Sequence, residues 1–252
     1  MKVSFQIVFL VLCFTLAGFV SHAAGPIGEM QPLGTFAIDR TEVTVGQFRR
    51  FTDATKTRTQ AERTGGGLVY GAGWEQKPGW SWQAPFGKPA SDSEPAVHIT
   101  YDEAQSYCQW AGKRLPTDSE WVMAAYQENR ATPATPFVKG QIYPYPTGAS
   151  SEGANCLNDC GPTPVLDHAG VLEQGRGHAP VGTTKPGVNG LYDMGANVWE
   201  WIDTGAADSA NKGTRGGSWW YGATQMRRNY DASKPRDMAV VYIGFRCVKD
   251  LR

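Results

Sequence analysis

The 252-residue sequence favours neither sign of charge: Lys plus Arg and Asp plus Glu number 24 each. That balance gives no electrostatic reason to expect nucleic acid or an anionic membrane as partner. Histidine is scarce, with four in the chain and no H-x-H or H-x₃-H spacing, so a histidine-built metal site has no motif to rest on. No repeat of fixed period is present, and no stretch beyond the first two dozen residues is apolar enough to cross a membrane.

The start is the apolar exception. In MKVSFQIVFLVLCFTLAGFVSHAA, Lys2 precedes an apolar run from Ile7 to Val20, with Ser21 and Ala23 at the small positions of a cleavage site. This pattern predicts a secretory signal peptide over residues 1–23. The run is shorter than the about 20 residues a spanning helix needs, and polar sequence follows at once. Cys13 follows Leu12 rather than a small residue, so no lipid anchor is expected. Residues 24–252 then form one periplasmic or secreted domain, long enough for a substantial core and free of the membrane after cleavage.

Glycine, proline and tryptophan are plentiful, at 30, 16 and 9. With modest helix signals, they predict a loop-rich domain whose aromatics anchor irregular segments. The exported chain keeps Cys108, Cys156, Cys160 and Cys247. An even number in an oxidising compartment points to disulfides; Cys156 and Cys160 are spaced for a short local loop, but four cysteines permit three pairings and spacing does not choose among them.

Thr44-x-x-Gln47, Thr100-x-x-Glu103 and Thr117-x-x-Glu120 are capping boxes. Each precedes a helical apolar stripe: Val45, Phe48 and Phe51; Ala104, Tyr107, Cys108 and Ala111; Trp121, Ala124 and Ala125. From Ala131 to Gly190 the chain is rich in Pro, Gly, Asn and Thr, which predicts an ordered loop region. Strand-like pieces follow at Asn197–Ile202, Thr214–Tyr221 and Val240–Val248. Helices first and strands last predict an α+β fold.

Five stretches together resemble the formylglycine-generating enzyme family, the sulfatase-modifying-factor group: FAIDRTEVTVGQFRRF, PAVHITYDEAQSYCQWAGKRLPTDSEWVMAAY, APVGTTKPGVNGLYDMGANVWEW, RGGSWW and IGFRCVKD. They fall in family order from Leu33 to Asp250. The resemblance implies an α+β domain with little regular secondary structure and a core related to C-type lectins. It also implies a Cys108–Cys247 disulfide. Trp121 and Trp199 read as core anchors, and His98, in a predicted buried strand, as a core histidine.

The resemblance further implies calcium. In GLYDMGANVWEW its ligands fall on Asp193, Ala196, Val198 and Glu200, hard oxygen donors that suit Ca²⁺. A further calcium set maps to Asn155, Cys156, Glu173 and Gly175. No nucleotide cofactor is expected.

The family's own chemistry is missing. Formylglycine-generating enzymes bind copper(I) with two cysteines five residues apart after Gly-Gly-Ser, soft thiolates for a soft ion. Counted from Gly216-Gly217-Ser218, those positions hold Tyr221 and Met226. Copper is therefore not expected, nor is conversion of sulfatase cysteines. The sulfoxide synthases that share this domain take iron from a separate histidine-rich helical domain, for which this sequence offers no motif. A triad of Ser218, a histidine and an aspartate is a set any chain supplies.

One exported branch also lacks the pair: the periplasmic proteins that oxidise the chromophore precursor of the pyoverdine siderophore. That branch implies oxidative maturation of a peptide or protein partner, with Ser218, Tyr221 and Arg228 as candidate catalytic residues. Tyr221 and Tyr230 stand near Arg227 and Arg228 in sequence, and nearby cations favour phenolate. The competing expectation is binding without catalysis, because lectin-like variable proteins of diversity-generating systems end in a similar Gly-Gly-Ser-Trp pattern. For either, the ligand surface is Ser218, Trp219, Trp220, Tyr221, Met226, Arg227 and Arg228, residue types that dominate binding hot spots. A third reading is an accessory protein for a periplasmic metalloenzyme. The sequence leaves open whether the chain is an enzyme; if it is one, the class is oxidoreductase.

Overall fold

Threonine sets where the helices begin. The computed structural model describes residues 28–163 and 176–251, so the signal segment lies outside the described residues. Thr44 opens α1 (Val45–Thr55), Thr59 opens the short α2 (Gln60–Thr64), Thr100 opens α3 (Tyr101–Trp110) and Thr117 opens α4 (Asp118–Tyr126), each through a complete capping box. The box at Thr59 and Glu62 was not foreseen. Five residues are too few to show an apolar stripe, and only Ala61 of α2 is buried.

Strands flank the helices on both sides, which corrects the expected order of helices first and strands last. β1 (Met30–Leu33) and β2 (Phe36–Asp39) precede α1, and β3 (Gly66–Tyr70) and β4 (Trp74–Pro78) form a hairpin after α2. β5 (Trp199–Ile202), β6 (Asn211–Arg215), β7 (Ala232–Pro235), β8 (Ile243–Gly244) and β9 (Val248–Asp250) follow. β9 returns to pair antiparallel with β2, giving a sheet ordered β1-β2-β9. A four-stranded sheet is ordered β7-β6-β5-β8, with β5 and β8 parallel. The result is an α+β fold in which much of the chain is irregular.

Apolar stripes become the core. Phe48 and Phe51 of α1 meet Tyr107 of α3 at ring separations of 5.8 and 5.7 Å, in a cluster that also takes Trp82, Trp199, Trp201, Trp219 and Phe245. Trp121, Ala124 and Ala125 of α4 pack on Leu33, Phe36 and Ile38 of the first sheet. His98 is fully buried at φ +57°, with Nε2 3.0 Å from Pro85 O. A Cβ at Gly67 would stand 2.0 Å from its Nδ1, so only glycine fits there. Burial lowers the imidazole to about 4.

Both disulfides form. Cys108–Cys247 fastens α3 to the segment before β9 across 139 residues, and Cys156–Cys160 closes a local loop.

Candidate functional site

β6 stops at Arg215 because Gly216 and Gly217 turn the chain at φ +98° and +79°, a region that strains any residue with a Cβ. A Cβ at Gly216 would also lie 2.9 Å from Met194 O. The strand predicted over Thr214–Tyr221 is therefore cut short, and residues 216–219 are laced onto the loop before β5. Ala196 N donates to Gly216 O at 2.7 Å, and Trp219 N to Asn197 O at 2.8 Å. Ala196 and Asn197 themselves have φ of +62° and +54°, so the strand predicted from Asn197 begins at Trp199.

Beyond the turn, anchors alternate with presented groups. Ser218, Trp219 and Met226 are fully buried. Ser218 Oγ accepts from Trp220 N at 3.3 Å, which makes the hydroxyl part of a turn; among the described residues no histidine is hydrogen-bonded to it. Trp219 packs against Phe86, ring centres 6.0 Å apart. Trp220 and Tyr221 are partly buried, and Arg227 and Arg228 are exposed.

Tyr221 lies in an aromatic nest. Its ring is 5.7 Å from Trp199 and 5.8 Å from Tyr242, and Tyr230 is 6.1 Å from Trp199. Both phenols are pushed up, chiefly by burial. The expectation that Arg227 and Arg228 favour a phenolate at Tyr221 is overturned: desolvation dominates, and the two exposed guanidiniums are not among the groups acting on it. Tyr70, which also acts on Tyr221 electrostatically, sits on the β3–β4 hairpin with Trp74. The two rings are 5.2 Å apart, and 43% and 49% of these side chains are exposed. Lys234 Nζ lies 5.9 Å over Trp199, and burial lowers its pKa.

Sequence reasoning missed Tyr70, Trp74, Lys234 and Tyr242. Only the first two left a signal, an aromatic on each side of the Gly71-Ala72-Gly73 turn.

A groove of about 370 Å³ is lined by Asp118, Val122, Arg215, Arg227 and Arg228 among others. Arg215 is committed to Asp118 at 2.7 and 3.0 Å and to the carbonyls of Arg228 and Tyr230. Arg227 donates to Tyr145 Oη at 3.1 Å. Among the described residues no carboxylate forms an ion pair with Arg227 or Arg228, so the groove carries surplus positive charge.

The start of β5 and its surroundings carry the opposite surplus. Glu200 Oε2 accepts from Trp121 Nε1 at 2.7 Å and from Arg246 Nε at 2.8 Å, and Oε1 accepts from Arg246 Nη2 at 2.7 Å. Asp193, at φ +59°, accepts from Gly182 N and Thr184 Oγ1. Glu42 accepts from Asn197 Nδ2 at 2.8 Å and from Val198 N at 3.2 Å. All three carboxylates are buried around one guanidinium. Glu42 is pushed well above the usual carboxylate range, first by burial and then by Asp193 and Glu200; Asp193 is raised chiefly by burial. Hard oxygen donors with uncompensated negative charge fit a divalent cation in chemistry. Among the described residues, no group of three or more His, Cys, Asp or Glu side chains is gathered to hold a metal ion.

Of the other calcium set, Glu173 and Gly175 lie outside the described residues, as does His168. Asn155 Nδ2 donates to Gly177 O and Asn197 Oδ1, and Cys156 is in its disulfide. His178 Nε2 is 2.9 Å from Glu94 Oε2, both side chains buried, and burial lowers the imidazole.

The Sulfatase-modifying factor enzyme 1-like domain family matches residues 21–251. The chain belongs to this family. Its relatives include the formylglycine-generating enzyme of Thermomonospora curvata, 31% identical over 92% of this chain and 87% of that protein. The inactive C-alpha-formylglycine-generating enzyme 2 of Bos taurus is 32% identical over 88% of this chain and 79% of its own length. The structure of PvdO from Pseudomonas aeruginosa shares the fold of this sulfatase-modifying-factor-like domain, with a TM-score of 0.58 at 20% identity, covering 86% of this chain and 80% of that one.

Proposed function

We propose that this chain recognises a peptide-like or protein partner in the periplasm or outside the cell and takes part in its maturation, without performing cysteine-to-formylglycine conversion. One observation carries the reading: a single segment buries Trp219 and Met226 as anchors while leaving Trp220 and Tyr221 partly exposed and Arg227 and Arg228 exposed. Aromatics and arginines without a carboxylate partner, gathered in one segment, are the composition of a recognition surface. Tyr221 and Met226 occupy the positions of the family's copper cysteines, which supports the loss of that reaction, and the two disulfides support an oxidising compartment.

If the step is oxidative, Tyr221 is the reacting-side residue and Arg228 orients the partner. Oxygen consumption with candidate partners then disappears in Tyr221→Phe or Arg228→Ala, and unchanged turnover in both variants removes the catalytic assignment. The exposed Tyr70 and Trp74 favour binding without catalysis as the second reading. In that case partner affinity falls in Trp74→Ala while no partner is chemically altered.

A structural calcium ion at Asp193, Ala196, Val198 and Glu200 completes the proposal, offsetting the negative surplus it shares with Glu42. Thermal unfolding with calcium and with chelator tests it, and identical melting temperatures would remove it.

A further inference from the structure

Two hollows run into one another along α4. The first is the groove of about 370 Å³ lined by Asp118, Val122, Arg215, Arg227 and Arg228; the second, of about 210 Å³, takes in Val122, Met123, Tyr126, Ile142 and again Arg228. Val122 and Arg228 belong to both, so the charged end passes into an apolar one. The fold fixes each wall. Met226 is buried and its carbonyl accepts from Tyr126 Oη at 2.8 Å, which sets the next two residues, Arg227 and Arg228, beside α4. Arg227 Nε donates to Tyr145 Oη at 3.1 Å, with the guanidinium 5.3 Å over that ring. Among the described residues no hydrogen bond leaves its terminal nitrogens or the side chain of Arg228. Asp118, the one carboxylate among the residues lining either hollow, is neutralised by Arg215. At the apolar end Tyr143 N donates to Tyr126 O at 2.8 Å and Glu128 N to Gln141 O at 3.0 Å, which holds Ile142 at the end of α4 with 52% of it exposed.

We propose that this continuous groove docks an extended acidic peptide, with carboxylate side chains on Arg227 and Arg228 and an apolar side chain over Met123 and Ile142, a partner class that rests on the recognition reading above. Guanidiniums are planar forks that match a carboxylate, and arginine clusters are a recurring means of reading acidic motifs. Charges of the two signs are equal in number over the chain, so the attraction belongs to this groove and not to the surface at large. Because Arg227 is already held by Tyr145, little side-chain freedom is lost when a carboxylate arrives. The apolar end selects a peptide over other anions: a plain polyanion would use the arginines and leave Ile142 bare. α4 runs from Asp118 to Tyr126, about 13 Å at the helical rise per residue, which is the span of about four extended peptide residues.

The test uses the whole secreted chain, immobilised and presented with random peptides displayed on phage; the enriched sequences are synthesised and their Kd measured. Expected are peptides that place Asp or Glu beside Leu, Ile or Phe. Their Kd rises about tenfold or more in Arg227→Glu and in Ile142→Glu, and stays unchanged in Lys56→Glu, an exposed charge reversal outside both hollows. Added salt weakens them. The same peptide with its acids replaced by lysine binds the Arg227→Glu, Arg228→Glu double variant more tightly than it binds wild type, a gain that a misfolded variant cannot produce. Enriched peptides without acidic residues, or acidic ones whose Kd is the same in Arg227→Glu, would overturn the assignment while leaving partner binding elsewhere on the chain. A loss in Arg227→Glu with none in Ile142→Glu is the behaviour of a plain polyanion site and would overturn it as well. Enrichment of no peptide at all would remove the partner reading together with it.

Discussion

Tyr221 illustrates how little of a side chain's role follows from its sequence neighbours. Arg227 and Arg228 are close in sequence, yet the groups that set its behaviour are Tyr242 and the burial of its own ring. Its position was legible from the Gly-Gly-Ser landmark, whereas Tyr242 meets it only through the fold. Glu42 is the second informative residue. Its folded pKa is raised above the unfolded value, so the folded state binds more protons between the two, and the group's contribution is most favourable at low pH and is lost as pH rises through the folded pKa. In chelator, the melting temperature of wild type relative to Glu42→Gln therefore rises as pH falls from neutral toward the ordinary carboxylate range. A difference independent of pH would contradict this. His98 has the opposite sign: its pKa is lowered to about 4, so its contribution is lost as pH falls from about 6.5 toward that value.

Among the elements, three helix starts were legible because a capping box followed by an apolar stripe is a local signal that tertiary contacts did not override. α2 escaped because it has the box without the stripe. Thr59→Ala should still cost about 1 kcal/mol, measurable by thermal unfolding. Strand ends were misread wherever backbone sign decided them: positive φ at Ala196 and Asn197 delays β5, and at Gly216 and Gly217 it ends β6. The disulfides divide by loop length. In the chain-entropy model Cys108–Cys247 is worth about 5 kcal/mol and Cys156–Cys160 about 2 kcal/mol. Unfolding of Cys108→Ala, Cys247→Ala against Cys156→Ser, Cys160→Ser should show that order, and equal losses would contradict it.

At the scale of the molecule, three loops distant in sequence converge: the cysteine loop at 156–160, the carboxylate-bearing loop at 193–198 and the segment from Gly216 to Arg228. Asn197 N donates to Asn155 O, Trp219 N to Asn197 O and Leu157 N to Tyr221 O, so each loop rests on the other two. The family motifs named the second and third of these loops, but their meeting with the first, and the aromatic hairpin beside them, arise from the fold alone. The central claim is that the family's reaction is absent while a partner-binding face remains. Its most direct test is equilibrium binding of peptides selected on the immobilised chain, measured for wild type and for a folded Tyr221→Ala, Arg228→Ala variant. The account predicts a loss of about tenfold or more in the variant, as expected for truncated hot-spot residues. Equal affinity in the two proteins would contradict it.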